Sequence, residues 1–269
     1  MKYSIIISYR DREEHLQKLL PRLREMFVNE EYEIIVVEQD DNDKFQKNSL
    51  YNIAAKGSNG DILIFHDVDY YPASNVTYDT DEFVPFYPVG KVQFLDENDV
   101  ERSYNDIPGG YRNFHITVGD HSGGVFVLHK NLFEKIGGLN PYYKGWGKED
   151  DDTRERLRFH GYEWKRNNDG LFYALYHEDN KPNDDDSDFI RNHILLSQLK
   201  DCIDYGYNDV SGDVIEFKAD IDLRWIKVNN FDYRTSLNNH SKTSNFENRH
   251  DLRWFNIFSK FHISFWRSP

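Results

Sequence analysis

The order of two hydrophobic periodicities between Met1 and Pro72 constrains this chain more than any other feature. Tyr3–Ser8 is an alternating, β-branched run and predicts a strand. Glu13–Phe27 carries Leu16, Leu19, Leu20 and Leu23 at helical spacing. Glu33–Val37 is a near-continuous apolar run, the pattern of a parallel strand covered on both faces. Lys47–Lys56 predicts a helix stopped at Gly57, and Asp61–His66 a third short strand. The result is a β-α-β-α-β order, the unit of a parallel α/β sheet. Ligands of such sheets bind beyond the carboxyl ends of the strands. Here those ends are Ser8–Arg12, Glu38–Phe45 and Asp67–Pro72.

The rest of the chain is less regular. Residues 73–120 read as loop-rich. Gly124–His129 predicts a strand, and Asn131–Ile136 a short helix ended by Gly137-Gly138. Asp150–His160 predicts a helix with an acidic start, Glu163–Lys165 and Leu171–Tyr176 strands, Ser187–Asp204 a helix, and Val214–Asn229 two strands. The expected organisation is a catalytic domain over 1–228, with a nucleotide half at about 1–72 and an acceptor half at about 120–228. A linker over 229–250 and an amphipathic C-terminal helix over 251–269 follow. On a helical wheel Arg253, Asn256, Lys260, Ser264 and Arg267 share a narrow arc, while Trp254, Phe255, Ile257, Phe258, Phe261 and Phe265 take the rest. Two expectations fit that pattern: peripheral contact with a membrane surface, or docking of the aromatic face on the chain's own domain or a second subunit.

Composition narrows the function classes. The 269 residues carry 33 Lys plus Arg against 47 Asp plus Glu, a formal charge of −14. That balance speaks against nucleic acid as a partner and suits a protein that gathers divalent cations. Aromatics at 16% supply core area where total hydrophobic content is only 38%. No apolar run approaches the ~20 residues of a membrane span. One cysteine, Cys202, makes no internal disulfide, and a cytoplasmic setting is expected, with the inner membrane face as a peripheral location.

Three motifs carry chemistry. Asp67-Val68-Asp69 follows a strand, where alternate carboxylates can converge on a hard cation such as Mn²⁺ or Mg²⁺; alone, it reads rather as a solvated turn. Gly145-Trp146-Gly147-Lys148-Glu149-Asp150-Asp151-Asp152 is more specific. Its four adjacent carboxylates are expected to repel one another and raise a pKa, as a general base needs, and the glycines let the Trp ring turn into a pocket. Helix N-terminal capping accounts for one or two of the acids, not four. His177 closes the last strand of this region, and is a metal ligand only if the fold brings it to Asp69. Arg10 and Arg12 follow the first strand, where a guanidinium can fork onto a diphosphate. No Walker loop, G-x-G-x-x-G or G-x-S-x-G segment is present.

Together these segments resemble the β1,4-galactosyltransferase family, on the GT-A (nucleotide-diphospho-sugar transferase) α/β fold with a mixed, mostly parallel sheet flanked by helices. Ser8-Tyr9-Arg10-Asp11-Arg12-Glu13-Glu14-His15-Leu16 is similar to the family's Pro-Phe-Arg-x-Arg-x-x-His-Leu opening. Gln39 and Phe45 resemble its Asn-Gln and Phe-Asn-Arg segments. Phe65 through Pro72 resembles its Asp-Val-Asp motif, Gly123-Gly124-Val125 its Gly-Gly-Val, and Gly145 through Asp152 its Gly-Trp-Gly-x-Glu-Asp-Asp-Asp. The order agrees over residues 3–180.

The resemblance implies an inverting, metal-dependent hexosyltransferase that moves a sugar, galactose first, from a UDP-sugar to a glycan hydroxyl. Asp69 and His177 would hold Mn²⁺, with Mg²⁺ as the alternative, against the diphosphate. Ser8, Tyr9, Arg10, Arg12, Phe45, Asp67, Val68, Asp69, Trp146 and Glu149 would bind the donor. Asp150 would deprotonate the acceptor hydroxyl, and Trp146, Asp150 and Asp151 would hold the acceptor. Two positions depart from the pattern. Ala174 and Leu175 stand where the family has a second metal ligand, leaving Glu178 or Asp179 as substitutes, and His121 stands where an aromatic tunes donor choice. The family's animal members are membrane-anchored and disulfide-bonded, so a soluble microbial or viral relative is expected. The alternatives are a metal-dependent phosphoesterase, which would call for more histidines, and a non-catalytic sugar- or cation-binding module, which would not need Arg10, Arg12 and Phe45.

Overall fold

The computed structural model describes residues 1–102, 123–177, 187–199 and 203–233. Residues 1–234 form one compact unit. The expected β-α-β-α-β start is present as β1 (Lys2–Tyr9), α1 (Glu13–Met26), β2 (Glu31–Gln39), α2 (Lys47–Lys56) and β3 (Ile62–Asp67). Then come β4 (Tyr70–Pro72), β5 (Phe86–Tyr87), β6 (Lys91–Phe94), β7 (Val125–His129), α3 (Lys130–Lys135) and α4 (Glu149–Phe159). The last elements are β8 (Lys165–Arg166), β9 (Leu171–Ala174), α5 (Ser187–Ser197), β10 (Val210–Lys218) and β11 (Leu223–Tyr233).

One sheet orders its strands β10-β11-β2-β1-β3-β7-β5-β8, and a small sheet orders β4-β9-β6. In the large sheet β11, β2, β1, β3, β5 and β8 run one way, and β10 and β7 the other. β1 lies between β2 and β3, so the two crossovers run in opposite directions across the sheet. Right-handed crossovers then place α1 and α2 on opposite faces. The core follows that rule with period two. Leu16, Leu19 and Leu23 of α1 pack with Ile5, Ile7, Ile34, Val36, Ile62 and Ile64. Leu50, Tyr51 and Ala54 of α2 pack with the alternate residues Ile6, Ile35, Val37, Leu63 and Phe65. Each apolar side chain so buried contributes about 1.5–3 kcal/mol. The register sets Ser8 of β1 beside both Val37 of β2 and Asp67 of β3, so the three carboxyl ends share one rim.

Several boundaries differ from the sequence reading. β9 stops at Ala174 rather than Tyr176, because Leu175 turns its N–H to the carbonyl of Asp69. β11 runs to Tyr233, into the stretch read as a linker from 229, since pairing with β10 continues to the Val210–Tyr233 pair. The loop-rich region holds β5 and β6, too short to carry a periodic signal. Helix α5 ends at Ser197, short of Asp204. The helix expected over 251–269, Cys202, His121, Glu178 and Asp179 lie outside the described residues. Among the described residues no helix is long and apolar enough to cross a membrane.

Candidate active site

The Asp67-Val68-Asp69 triplet ends β3 and turns into β4, so its two acids face different partners. β4 pairs with β9 antiparallel, Tyr70 against Ala174, which sets the chain after β9 beside Asp69. Asp69 Oδ2 and His177 Nε2 stand 3.1 Å apart across 108 residues of sequence. The condition attached to His177 is therefore met. Burial opposes ionisation of Asp69, but the hydrogen bond and charge of His177 outweigh it and hold the carboxyl below its ordinary range. A carboxylate oxygen and an imidazole nitrogen on one rim are a donor pair for a borderline-hard cation such as Mn²⁺.

Asp67 faces the other way, into a cluster organised by Lys47, a residue the sequence reading passed over. Lys47 opens α2. Its Nζ lies 2.9 Å from Asp150 Oδ1, 3.1 Å from Glu149 Oε1 and 3.7 Å from Asp67 Oδ2. Burial works against the lysine's charge, but the three carboxylates outweigh it and raise its pKa well above the usual value. Tyr51, one turn further along α2, donates its hydroxyl to Asp67 Oδ1 at 2.9 Å. Desolvation still pushes Asp67 up to about 7, with Lys47 opposing and Asp150 assisting. The only signal for Lys47 was its place two residues after Phe45.

The Gly-Trp-Gly turn has a physical reason at each step. Gly145, Gly147 and Lys148 all have positive φ, at 67°, 105° and 75°, so the chain reverses sharply before α4. Gly145 N–H donates to the carbonyl of Phe45 at 2.8 Å, which ties this turn to the α2 entry. A Cβ on Gly147 would press the Phe189 ring at 3.1 Å. Trp146 is 51% exposed and stacks on Phe189 at 5.8 Å.

The expected repulsion acts between two of the four acids, where the charge of Asp150 adds to the raised pKa of Glu149. Successive helical residues point about 100° apart, so the acids divide into groups that meet different cations. Glu149 and Asp150 turn to Lys47. Asp151 pairs with Lys148 at 3.0 Å and Arg154 at 3.2 Å. Asp152 is fully buried, receives the Tyr143 hydroxyl at 3.2 Å and pairs with Arg156 at 3.4 Å. The pKa of Glu149 is raised first by burial, with Lys47 lowering it and the charge of Asp150 adding to the rise. Glu149 Oε2 is buried with no hydrogen-bond partner.

Arg10 donates to the carbonyl of Asp43 at 2.6 Å, and its guanidinium lies over the Phe45 ring at 5.3 Å. Ser8 and Val68 are buried at the strand ends, and the Tyr9 hydroxyl donates to Glu13 at 3.3 Å. Arg12 bonds the carbonyl of neighbouring Asp11 at 3.4 Å and caps α1 without a side-chain bond. The geometry thus joins Ser8, Asp67, Glu149 and Asp150 through Lys47 and strand register, Asp69 with His177, and Arg10 with Phe45. Arg12 and Asp151 keep to local partners.

The sequence matches the family described as the N-terminal region of glycosyl transferase group 7 over residues 1–80. It matches the one described as the N-terminal domain of galactosyltransferase over residues 101–178. It is 31% identical over 206 residues to beta-1,4-galactosyltransferase 4 of Cricetulus griseus, covering 74% of this chain and 54% of that protein. The chain belongs to the β1,4-galactosyltransferase-like family. The human beta-1,4-galactosyltransferase 4 is 32% identical over 163 residues, 58% of this chain and 42% of the relative. The chain spans about half the length of the curated relatives it matches. Among solved structures, the catalytic domain of Drosophila beta1,4galactosyltransferase 7 with xylobiose superposes with a TM-score of 0.61. It is 20% identical, over 86% of this chain and 94% of that one. A mutant of the same fly enzyme, complexed with manganese, UDP-Gal and xylobiose, gives 0.59 at the same coverage. Both likenesses carry the fold, which is GT-A.

Proposed function

We propose that this chain is an inverting, divalent-cation-dependent galactosyltransferase that moves galactose from UDP-galactose to a hydroxyl of a glycan acceptor. The observation that carries this reading is the Asp69–His177 pair, brought to 3.1 Å by the β4–β9 register at the rim where α/β sheets bind ligands. The relatives are named for galactosyl transfer, and the fly neighbour was solved with manganese, UDP-Gal and xylobiose. Asp69 and His177 fit Mn²⁺ as one oxygen and one nitrogen donor. When bound, the cation supplies Lewis-acid stabilisation of the departing diphosphate.

The chain's own groups do the rest. Arg10 and the Phe45 ring form a stacked pair suited to hold the nucleotide end. The unpartnered oxygen of Glu149 accepts from the donor sugar. Asp150 takes the proton of the acceptor hydroxyl as that oxygen attacks the anomeric carbon from the side opposite the diphosphate. Lys47 keeps Asp67, Glu149 and Asp150 together at a separation their charges would otherwise resist. The exposed Trp146 ring offers a face for the acceptor sugar.

The test is UDP release from UDP-galactose, UDP-N-acetylgalactosamine, UDP-glucose and UDP-N-acetylglucosamine, each with Mn²⁺, Mg²⁺ or EDTA and with a panel of glycan acceptors. Cation-dependent release from UDP-galactose supports the reading. Asp150→Asn should remove about 10²–10⁴-fold of transfer while UDP binding persists; loss of binding and transfer together would remove Asp150 from the base role. A non-catalytic module would bind UDP without release from any donor. Contact of residues 251–269 with the cytoplasmic membrane face is supported by their cationic arc and aromatic remainder alone. Liposome sedimentation of the chain with and without that segment decides it, and equal sedimentation removes it.

A further inference from the structure

His15 belongs to the opening motif, yet nothing in the reaction just described uses it. It sits in the first turn of α1 and is buried. Its Nε2 lies 2.9 Å from the backbone carbonyl of Tyr176, 161 residues away. A carbonyl only accepts, so the proton is on Nε2 and Nδ1 carries a bare lone pair. That Nδ1 is buried with no hydrogen-bond partner. Leaving such an atom unmade carries the full desolvation penalty of the group. An apolar side chain would fill the slot without that cost, so packing alone does not account for an imidazole here.

The bond has one structural consequence. β9 ends at Ala174, and the next three residues carry no strand pairing of their own. They are pinned twice: Leu175 N–H donates to the carbonyl of Asp69 at 2.8 Å, and the Tyr176 carbonyl accepts from His15. The carbonyl of residue 176 shares a rigid plane with the N and Cα of residue 177. Holding that oxygen therefore restricts where the His177 Cα, the start of its side chain, can stand. The His15 and His177 rings are 6.4 Å apart between centroids, so the tie acts close to the Asp69–His177 pair. Neither Ala174 nor Leu175 offers a donor atom from its side chain, so among the described residues after β9 the nitrogen donor beside Asp69 is His177.

We propose that His15 is a positioning residue for the cation site: its Nε2–H fixes the Tyr176–His177 peptide and so aims His177 at Asp69. The proposal rests on reading Asp69 and His177 as the protein's cation ligands. Outer partners that orient a ligand are worth 10–100-fold in metal affinity.

The experiment is a Mn²⁺ titration followed by electron paramagnetic resonance, with UDP present and no turnover, alongside melting temperatures. Wild type, His15→Phe, His15→Asn, His15→Gln and Asp69→Asn are compared. His15→Phe keeps the bulk and removes the donor, and should weaken Mn²⁺ binding about 10-fold or more. His15→Gln, whose amide N–H reaches where Nε2 stood, should recover most of the affinity. His15→Asn holds its amide too short and should stay weak, which keeps the comparison available if His15→Phe does not fold. Wild-type affinity in a folded His15→Phe or His15→Asn overturns the proposal, as does equal loss in His15→Gln. If Asp69→Asn binds Mn²⁺ as tightly as wild type, the assignment of the cation ligands itself fails, and the proposal with it.

Discussion

Two parts of one rim are assembled by different forces. The Asp69–His177 pair is placed by backbone: the Tyr70–Ala174 register and the Leu175 tie bring it together. The Lys47 cluster is placed by charge: three carboxylates from β3 and α4 meet around one ammonium supplied by α2, and without it they would repel. A part built by register tolerates loss of a side chain and loses only its chemistry. A part built by charge balance transmits each loss to its neighbours.

The largest expected effect falls on the register-built part and spares the fold. On the proposed reading, Asp69→Asn removes the charge that would hold the cation, for several kcal/mol of barrier, or about a thousandfold in transfer rate. Its melting temperature should stay close to wild type, measured by calorimetry beside the transfer assay. A large drop in stability would show that the pair also holds β4 to β9, and the distinction between the two parts would fail.

Lys47→Met strikes the charge-built part. It leaves Asp67, Glu149 and Asp150 facing one another half-buried, and breaking a buried pair costs about 3–5 kcal/mol. The loss should shrink as pH falls. Burial already raises the folded pKa of Glu149, and without Lys47 that rise grows. A carboxyl whose folded pKa is raised destabilises the fold above its unfolded pKa and is relieved on protonation. Urea unfolding of Lys47→Met, Glu149→Gln and the double variant should show coupling, the second change costing less in the absence of Lys47. Additive losses would mean that Lys47 does not organise the cluster.

The comparison also explains what the sequence could disclose. Register-built structure leaves a pattern: the alternating Tyr3–Ser8 run and the spaced leucines of α1 led directly to β1, α1 and the strand ends that carry the site. The approach of His177 to Asp69 could be stated only as a condition, because it depends on a pairing between β4 and β9, strands of three and four residues. Charge-built structure leaves no period at all. Lys47 is one lysine among 33 basic residues, and only the fold puts it within reach of acids 20 and 103 positions away. The same blindness made Glu149 to Asp152 look like one repelling group. In the helix, Asp152 turns inward to Arg156 and leaves the site altogether.

A smaller effect tests a group between the two parts. His66 in β3 is fully buried, and burial lowers its pKa from 6.5 to about 4. Folded, it stays neutral where the unfolded chain would take up a proton. A base with a lowered folded pKa contributes no penalty above its unfolded pKa, and destabilises as pH falls from 6.5 toward 4. Between pH 7 and pH 5 this removes about 2 kcal/mol of stability. His66→Gln, which can still accept or donate at both ends, should flatten that part of the pH profile. An unchanged slope would mean that the proton is taken up elsewhere.

Asp151 should matter least to the fold, and for that reason it separates the acids of α4 most sharply. It is paired with Lys148 and Arg154 on the partly exposed side of the helix, where such pairs are worth about 0–1 kcal/mol. Asp151→Asn should therefore leave the melting temperature nearly unchanged, while Asp152→Asn, one residue on, removes the carboxylate paired with the fully buried Arg156 and costs about 3–5 kcal/mol. If the two variants melt alike, the division of the acidic run into a site face and a core face is wrong. If they melt as expected and Asp151→Asn still raises the acceptor KM at constant donor KM, the weak pairs of Asp151 are ones that an acceptor hydroxyl displaces. Its role is then recognition of the acceptor, which its local salt bridges neither require nor prevent.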